Sequence, residues 1–277
     1  MKPGILRTGT RLDGILSSVA ERLDERRTGL AAAELRALLS DCPRAEPGRF
    51  VQALGGTELA IIAECKRRSP SVGEIAEEQD MLARARGYAA AGAAAVSVLT
   101  EEDHFGGNLA DFARVAEAGL PRLRKDFIID EYMLHESAVA GADAVLLLAI
   151  CLDDVLLRDL RQQAQELNLA VLLEVHDERE LERALPLAPD CLGVNARDLC
   201  SFEVDLATVE RLLPQVGDGC LKVAESGIQG WDELERVWRA GADAALCGTA
   251  LMRAPERLAA WTERLAALAR ETEGGKR

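Results

Sequence analysis

From Leu59 onward the chain repeats one unit: a short apolar run, a polar residue at its exit, then a stretch with apolar residues at helical spacing. Residues 120–149, LPRLRKDFIIDEYMLHESAVAGADAVLLLA, show it whole. A brief extended run through Arg122, Leu123 and Arg124 ends at Lys125-Asp126, and Met133, Leu134 and Ala138 carry helical spacing. Gly141 stops the helix, and 144–149 is a continuous apolar strand of the kind covered on both faces. Strands are expected near 59–65, 94–100, 122–125, 144–149, 170–175, 192–195, 221–225 and 244–247. Helices are expected over 80–91, 109–118, 131–140, 153–167, 178–185, 206–213 and 231–240, with a last one over 255–270. Ala-Gly-Ala stops a helix ahead of a strand three times, at Gly92, Gly141 and Gly241, where glycine supplies a left-handed cap. Eight strand–helix units at a repeat of about 20–35 residues predict an α/β fold, the (β/α)8 TIM barrel. A doubly wound open sheet would call for a glycine-rich first turn, and neither GxGxxG nor GxxxxGK[ST] occurs.

Residues 1–57 lack this rhythm. Leu12, Ile15, Leu16, Val19 and Leu23 form an amphipathic stripe, and shorter helical stretches follow at 30–39 and 50–54 around the breaker CPRAEPG. The segment is expected to be an N-terminal helical extension capping a barrel formed by 58–277.

The formal net charge of −14 disfavours nucleic-acid and anionic-membrane partners. An anionic substrate therefore calls for a locally positive pocket. Seven cysteines without a CxxC fit a reducing compartment. The N-terminus MKPGILRTGTRLDG has no long apolar core, and the run 144–152 is too short to span a bilayer. A cytoplasmic protein is expected.

In a barrel the strand exits share one mouth. They offer Glu64 and Lys66, then Thr100-Glu101, Lys125, Glu174, Asn195 and Arg197, Glu225-Ser226-Gly227, and Gly248-Thr249. Singly each is an ordinary solvated turn residue; together they gather amines, carboxylates and an amide around one pocket. Alternation puts Glu64 and Lys66 on one face and turns Cys65 toward the helices. Ser226-Gly227-Ile228 and Gly248-Thr249-Ala250 place glycine and a hydroxyl where a helix is expected to begin, after strands seven and eight, as a phosphate site does. Lysine and glutamate in a low-dielectric mouth suit carbonyl chemistry on a sugar phosphate. His104, His135 and His176 show no metal-ligand spacing, and His104 and His176 are read as bystanders. Trp231, Trp238 and Trp261 are read as packing residues.

The stretches IIAECKRRSPSVG, VSVLTEEDHFGG, LRKDFIIDEYM, GADAVLLLA, LLEVHDERELERAL, GVNARDL with FEVDL, VAESGI and LCGTALMRAPE resemble the indole-3-glycerol phosphate synthase family of tryptophan biosynthesis. The resemblance implies a cofactor-free, metal-free lyase. It takes 1-(o-carboxyphenylamino)-1-deoxyribulose 5-phosphate to indole-3-glycerol phosphate by ring closure and loss of CO2 and water. It implies Lys125 as general acid, Glu174 as the base of dehydration, and Lys66 near the substrate carboxylate, with Glu64, Asn195 and Ser226 as supporting polar groups. Ser69, Arg197, Gly227, Gly248 and Thr249 match positions holding the anionic ends of the ligand. Phe105, Phe127 and Leu199 match its apolar contacts, and Glu225 is grouped with the substrate-binding residues. A basic mouth in an acidic protein follows. The expected partner is a small sugar phosphate, with the chain a monomer or weak homodimer. Cys65, Ala196 and Thr249 depart from the family pattern without removing a residue the mechanism needs. Two alternatives stand beside this reading: the isomerase of the preceding step, phosphoribosylanthranilate isomerase, at which Cys65 hints, and a non-catalytic relative that binds a phosphorylated ligand.

Overall fold

In the computed structural model, which describes residues 3–40, 42, 46, 48–69, 73–75, 80–199 and 201–274, the apolar runs pair as parallel strands that close on themselves. The strands are β1 (Ala60–Cys65), β2 (Ala95–Leu99), β3 (Arg122–Lys125), β4 (Ala144–Leu148), β5 (Ala170–Val175), β6 (Cys191–Asn195), β7 (Leu221–Glu225) and β8 (Ala244–Cys247). Each pairs with its sequence neighbour and β8 pairs with β1, for example Ile62 with Leu246 and Leu148 with Glu174. The (β/α)8 barrel is therefore present, with every expected strand within a residue of its place. Burial on both faces explains why the strands read as unbroken apolar runs.

The helices are α1 (Arg11–Gly29), α2 (Ala32–Leu38), α3 (Arg49–Leu54), α4 (Met81–Ala90), α5 (Leu109–Arg114), α6 (Glu131–Val139), α7 (Asp154–Glu166), α8 (Glu178–Ala184), α9 (Ala207–Leu212), α10 (Trp231–Arg239), α11 (Thr249–Arg253) and α12 (Arg257–Gly274). Asp80, Asn108, Asp130, Asp153 and Asp177 cap α4 to α8, each accepting from a backbone N–H in the first turn. Gly92, Gly141 and Gly241 take the left-handed conformation expected of them, with φ of 86°, 73° and 90°. Three expected helices are shorter than their apolar spacing suggests. α5, α8 and α9 pass into 3-10 turns at Val115–Ala118, Leu185–Leu187 and Leu213–Gln215. Pro186 and Pro214 lie in the last two and have no N–H to continue the α pattern. The expected last helix over 255–270 is α12, preceded by the separate short α11, and an unforeseen two-residue strand pair, Arg68–Ser69 with Gly73–Glu74, follows β1.

The extension belongs to the same core as the barrel. Leu12, Ile15, Leu16, Val19 and Leu23 of α1 are buried within the main apolar cluster. Four arginines of α1 and α2 reach acids of the barrel's β2 and β3 side: Arg22 to Asp103 at 2.9 Å, Arg26 to Glu136 at 2.7 Å, Arg36 to Glu131 at 2.8 Å, and Arg27 to Asp130. Ile5 bridges Leu152 after β4, at the mouth. α3 lies at the other end, where Arg49 donates to the Gly119 carbonyl ahead of β3 and pairs with Asp143 ahead of β4.

Strand alternation decides what the mouth receives. In β3, Leu123 and Lys125 face the barrel axis and Arg122 and Arg124 face the helices. Arg124 is 1% exposed, yet every nitrogen has a partner. Nε donates to Thr100 Oγ1 at 3.1 Å, Nη1 to the Met133 carbonyl at 2.9 Å and Ser137 Oγ at 3.1 Å, and Nη2 meets Asp126 at 2.9 Å and Glu136 at 3.5 Å. Satisfied in this way, a buried guanidinium locks the end of β3 to α6.

Leu16→Ala removes a fully buried side chain of α1 and is expected to destabilise the protein by about 2–5 kcal/mol. Tryptophan fluorescence, whose reporters all lie in α10 and α12, and far-UV circular dichroism should then shift to one common lower denaturant midpoint. An unchanged fluorescence midpoint would mean that the extension unfolds by itself.

Candidate active site

Four odd-numbered strands each end in an inward ionisable side chain: Glu64 from β1, Lys125 from β3, Glu174 from β5 and Glu225 from β7. The even-numbered strands contribute Leu99, Leu148, Asn195 and Leu246. All eight line one cavity at the C-terminal ends of the strands, so a charged ring sits on an apolar wall.

Lys125 is at its centre. Nζ lies 2.8 Å from Glu174 Oε2 and 3.2 Å from Glu225 Oε2. Burial works against the ammonium, but Glu174, Glu225 and Glu64 outweigh it and hold the lysine pKa above its ordinary value. Burial likewise opposes the Glu174 carboxylate, and Lys125 with His176 outweighs it, so Glu174 stays ionised well below its usual range. Its other oxygen accepts from Asn195 Nδ2 at 2.8 Å. For Glu225 burial prevails, reinforced by the Glu174 charge, and its pKa is raised. Neither Glu225 oxygen has a hydrogen-bond partner among the described residues. One ammonium between two buried carboxylates thus leaves one ionised and drives the other toward its neutral form.

Two glycines make room for these groups. A Cβ at Gly193 would lie 2.1 Å from Glu225 Oε1, and one at Gly248 would lie 2.2 Å from Glu64 Oε1 and 2.8 Å from Lys66 Nζ. Glu64 and Lys66 form their own ion pair at 2.6 Å.

The structure brings together nearly all the residues expected from the sequence. Glu64, Lys66, Phe105, Lys125, Phe127, Glu174, Asn195, Arg197, Leu199, Glu225, Ser226, Gly227, Gly248 and Thr249 line the cavity. Phe105 and Phe127 face each other with ring centroids 6.1 Å apart. The side chain of Ser69 lies outside what the structure describes. Ser226 and Gly227 are consecutive left-handed residues, with φ of 64° and 78°, and a Cβ at Gly227 would press on Leu206 at 2.9 Å.

Several expectations need correction. α10 begins at Trp231, as its apolar spacing predicts, with the Gly230 N–H donating to Glu233, so Ser226-Gly227 does not open a helix and Gly248-Thr249 does. The mouth is not basic: Lys66, Lys125 and Arg197 share it with Glu64, Asp126, Glu174 and Glu225, and both lysines are paired. As strand alternation predicts, Cys65 is absent from the cavity lining. It lies toward α4 near Arg84, and burial pushes its thiol up to about 12, which makes it unfit as an acid–base group. His176 does not line the cavity, and its Nε2 lies 3.1 Å from Glu174. His104 instead meets Glu101 at 3.1 Å.

Phe202 lines the cavity unforeseen, in a turn where it takes φ of 61°. Its carbonyl accepts from Arg197 Nη1 at 3.0 Å, and Arg11 at the start of α1 stacks on its ring at 5.7 Å. Its only sequence signal was an exposed-looking aromatic in a polar loop.

A family model for indole-3-glycerol phosphate synthase matches residues 12–264. The indole-3-glycerol phosphate synthase of Nocardioides sp. is 48% identical over 244 residues, which cover 87% of this chain and 93% of that protein. That of Streptomyces griseus subsp. griseus is 42% identical over 257 residues, covering 92% and 95%. Among solved structures, N-acetylmannosamine-6-phosphate 2-epimerase from Clostridium perfringens superposes with a TM-score of 0.58 at 17% identity, covering 78% of this chain and 96% of that one; it shares the barrel.

The raised Glu225 pKa has a stability consequence. The folded state binds this proton more tightly than the unfolded chain, so wild type loses stability as pH climbs from the ordinary 4.5 through the raised value. Glu225→Gln abolishes that loss. Chemical denaturation at about pH 5 and pH 9 should show the variant gaining on wild type at the higher pH. A pH-independent difference would contradict the assignment.

Proposed function

We propose, on the premise that this chain belongs to the indole-3-glycerol phosphate synthase family, that it converts 1-(o-carboxyphenylamino)-1-deoxyribulose 5-phosphate to indole-3-glycerol phosphate, CO2 and water. The observation that carries the reading is that Lys66, Lys125 and Glu174, from three separate strand ends, line one cavity with aromatic and aliphatic neighbours.

Lys125 is the general acid. Its proton, held beside two carboxylates, is not released to water at neutral pH; it passes only to an oxygen that becomes more basic than the lysine amine. The ketone oxygen becomes such a group as the ring carbon attacks and a carbon–carbon bond forms. CO2 then leaves and its electron pair restores the aromatic ring. Loss of the hydroxyl as water completes the indole, with Glu174 as the assisting base. Asn195 orients that carboxylate by its 2.8 Å hydrogen bond, and the Glu64–Lys66 pair presents an ammonium to the substrate carboxylate. Phe105, Phe127 and Leu199 enclose the aromatic ring. Ser226 joins Glu64 and Asn195 as a supporting polar group, Ser69, Arg197, Gly227, Gly248 and Thr249 receive the anionic ends, and Glu225 completes the substrate-binding set. The reaction as assigned uses no cofactor and no metal.

The substrate is a small sugar phosphate, and neither nucleic acid nor membrane takes part. The chain acts in the cytoplasm as a monomer or weak homodimer. No helix among the described residues is long and apolar enough to cross a membrane. Residues 1–57 form the cap and 58–277 the barrel.

Incubation with the substrate should raise the indole absorbance, and Lys125→Ala should lower kcat by at least about a thousandfold with a smaller effect on KM. Equal, negligible rates for wild type and variant would point to a non-catalytic binding protein. Consumption of only the isomerase substrate would overturn the assignment.

A further inference from the structure

His176 follows β5 directly and is not part of the cavity lining, so the reaction as described makes no use of it. Its ring nevertheless sits between two carboxylates. Nε2 is 3.1 Å from Glu174 Oε1, and Nδ1 is 3.0 Å from Glu180 Oε2. The His176 backbone N–H donates to the same Glu180 oxygen at 2.8 Å, so Glu180, in the first turn of α8, grips both the ring and the main chain. Glu180 stands there because Asp177 caps α8, accepting from the Glu180 N–H at 2.8 Å.

A neutral imidazole has one N–H and one lone pair. Here either neutral tautomer would aim its lone pair at a carboxylate oxygen, in a position only 9% exposed to water. An imidazolium instead donates from Nδ1 to Glu180 and sets its positive charge against Glu174, which Nε2 meets as an ion-pair contact without a hydrogen bond. Burial opposes that charge, but Glu174 and Glu180 override it and raise the histidine to about 10. The other groups around it fit the same balance. Lys125 of β3 holds the far oxygen of Glu174, and Glu225 of β7 lies beyond Lys125. The Cys151 thiol after β4 feels both carboxylates and is kept protonated, chiefly by burial. Two cations, Lys125 and His176, thus face two carboxylates, Glu174 and Glu180, with Glu225 toward neutral.

We propose that His176 is a positioning residue of this active site: an imidazolium that ties the Glu174 carboxylate to helix α8 and keeps it ionised beside Lys125. The proposal rests on the reading that Glu174 and Lys125 act in the reaction. Without the imidazolium the buried cluster carries one excess negative charge, so Glu174 takes up a proton more readily and competes with the substrate for the one on Lys125. His176→Gln keeps a donor and removes the charge.

The first test needs no turnover. The chain has three histidines, so ring nitrogen NMR of the wild-type protein, assigned by loss of one signal in His176→Gln, reads its protonation state directly. At about pH 8.5 the His176 ring should show the imidazolium pattern, well above the ordinary histidine range. The second test compares kcat at about pH 5 with kcat at about pH 8. That ratio should fall at least about threefold further in His176→Gln than in wild type, with KM within about twofold. Glu180→Gln, which leaves the ring beside Glu174, should give a smaller change in the same direction. A neutral His176 ring at the higher pH would overturn the proposal. So would a His176→Gln profile parallel to wild type with kcat uniformly lowered, the mark of a merely structural role. Absence of turnover in wild type would count against the proposed function, while the NMR result would still decide the state of the ring.

Discussion

An ammonium at the end of β3, taken out of water, is the condition the rest of the mouth answers. Even after relaxation, transfer of a single ion into a protein interior carries a penalty of about several kcal/mol, so Lys125 requires counter-charge within contact distance. Glu174 and Glu225 supply it from β5 and β7, on strands that only a closed barrel brings around to β3. Two carboxylates then compete for one cation. Glu174 accepts from Asn195, has the His176 ring nitrogen 3.1 Å away as a second cationic neighbour, and remains ionised, whereas Glu225, with no hydrogen bond of its own, moves toward protonation. The glycine at position 193 follows from the same crowding, because Glu225 occupies the space where its side chain would be. The resulting centre holds its proton firmly until a substrate oxygen becomes basic enough to take it.

The shell outside the barrel keeps that centre in register. Arg124 points away from the axis and spends its donors on Thr100, Asp126, the Met133 carbonyl, Ser137 and Glu136, which joins the strand carrying Lys125 to α6. Glu136 also receives Arg26 from α1, so the extension reaches the active-site strand through one buried carboxylate. On the opposite side, Glu180 in α8 plays the matching part toward Glu174 through His176. The two members of the central ion pair are thereby each braced from the helix layer. Such bracing suits a reaction whose steps require an acid and a base at fixed separation.

What the sequence disclosed was whatever depends on local pattern. Apolar runs of strand length and the Ala-Gly-Ala stops place the elements because backbone geometry and burial act within a few residues. The polar residues at strand exits were legible for the same reason, and the RKDF and LLEV stretches pointed to Lys125 and Glu174. Pairing was not legible. The anion-holding positions suggested a basic mouth, but the carboxylates that neutralise Lys125 come from β5 and β7 and are set by barrel closure and side-chain direction, whereas only the Glu64–Lys66 pair lies close in the chain. Arg122 and Arg124 stood in the extended run without a partner in view, although alternation with Lys125 turns them into the helix layer, where Arg124 is fully bonded. Phe202 was missed because a left-handed turn redirects it into the cavity. His176 did leave a trace: Glu180 stands four residues on, across a helix cap, and the spacing alone allowed their contact.

The central claim is that Lys125 and Glu174 work as a single unit. A double-mutant cycle in kcat/KM with Lys125→Met, Glu174→Gln and the combined variant tests it most directly. If the two act as one, the double variant should fall no more than about tenfold below the worse single variant. If the two losses instead multiply, the residues contribute independently and this description of the site is wrong.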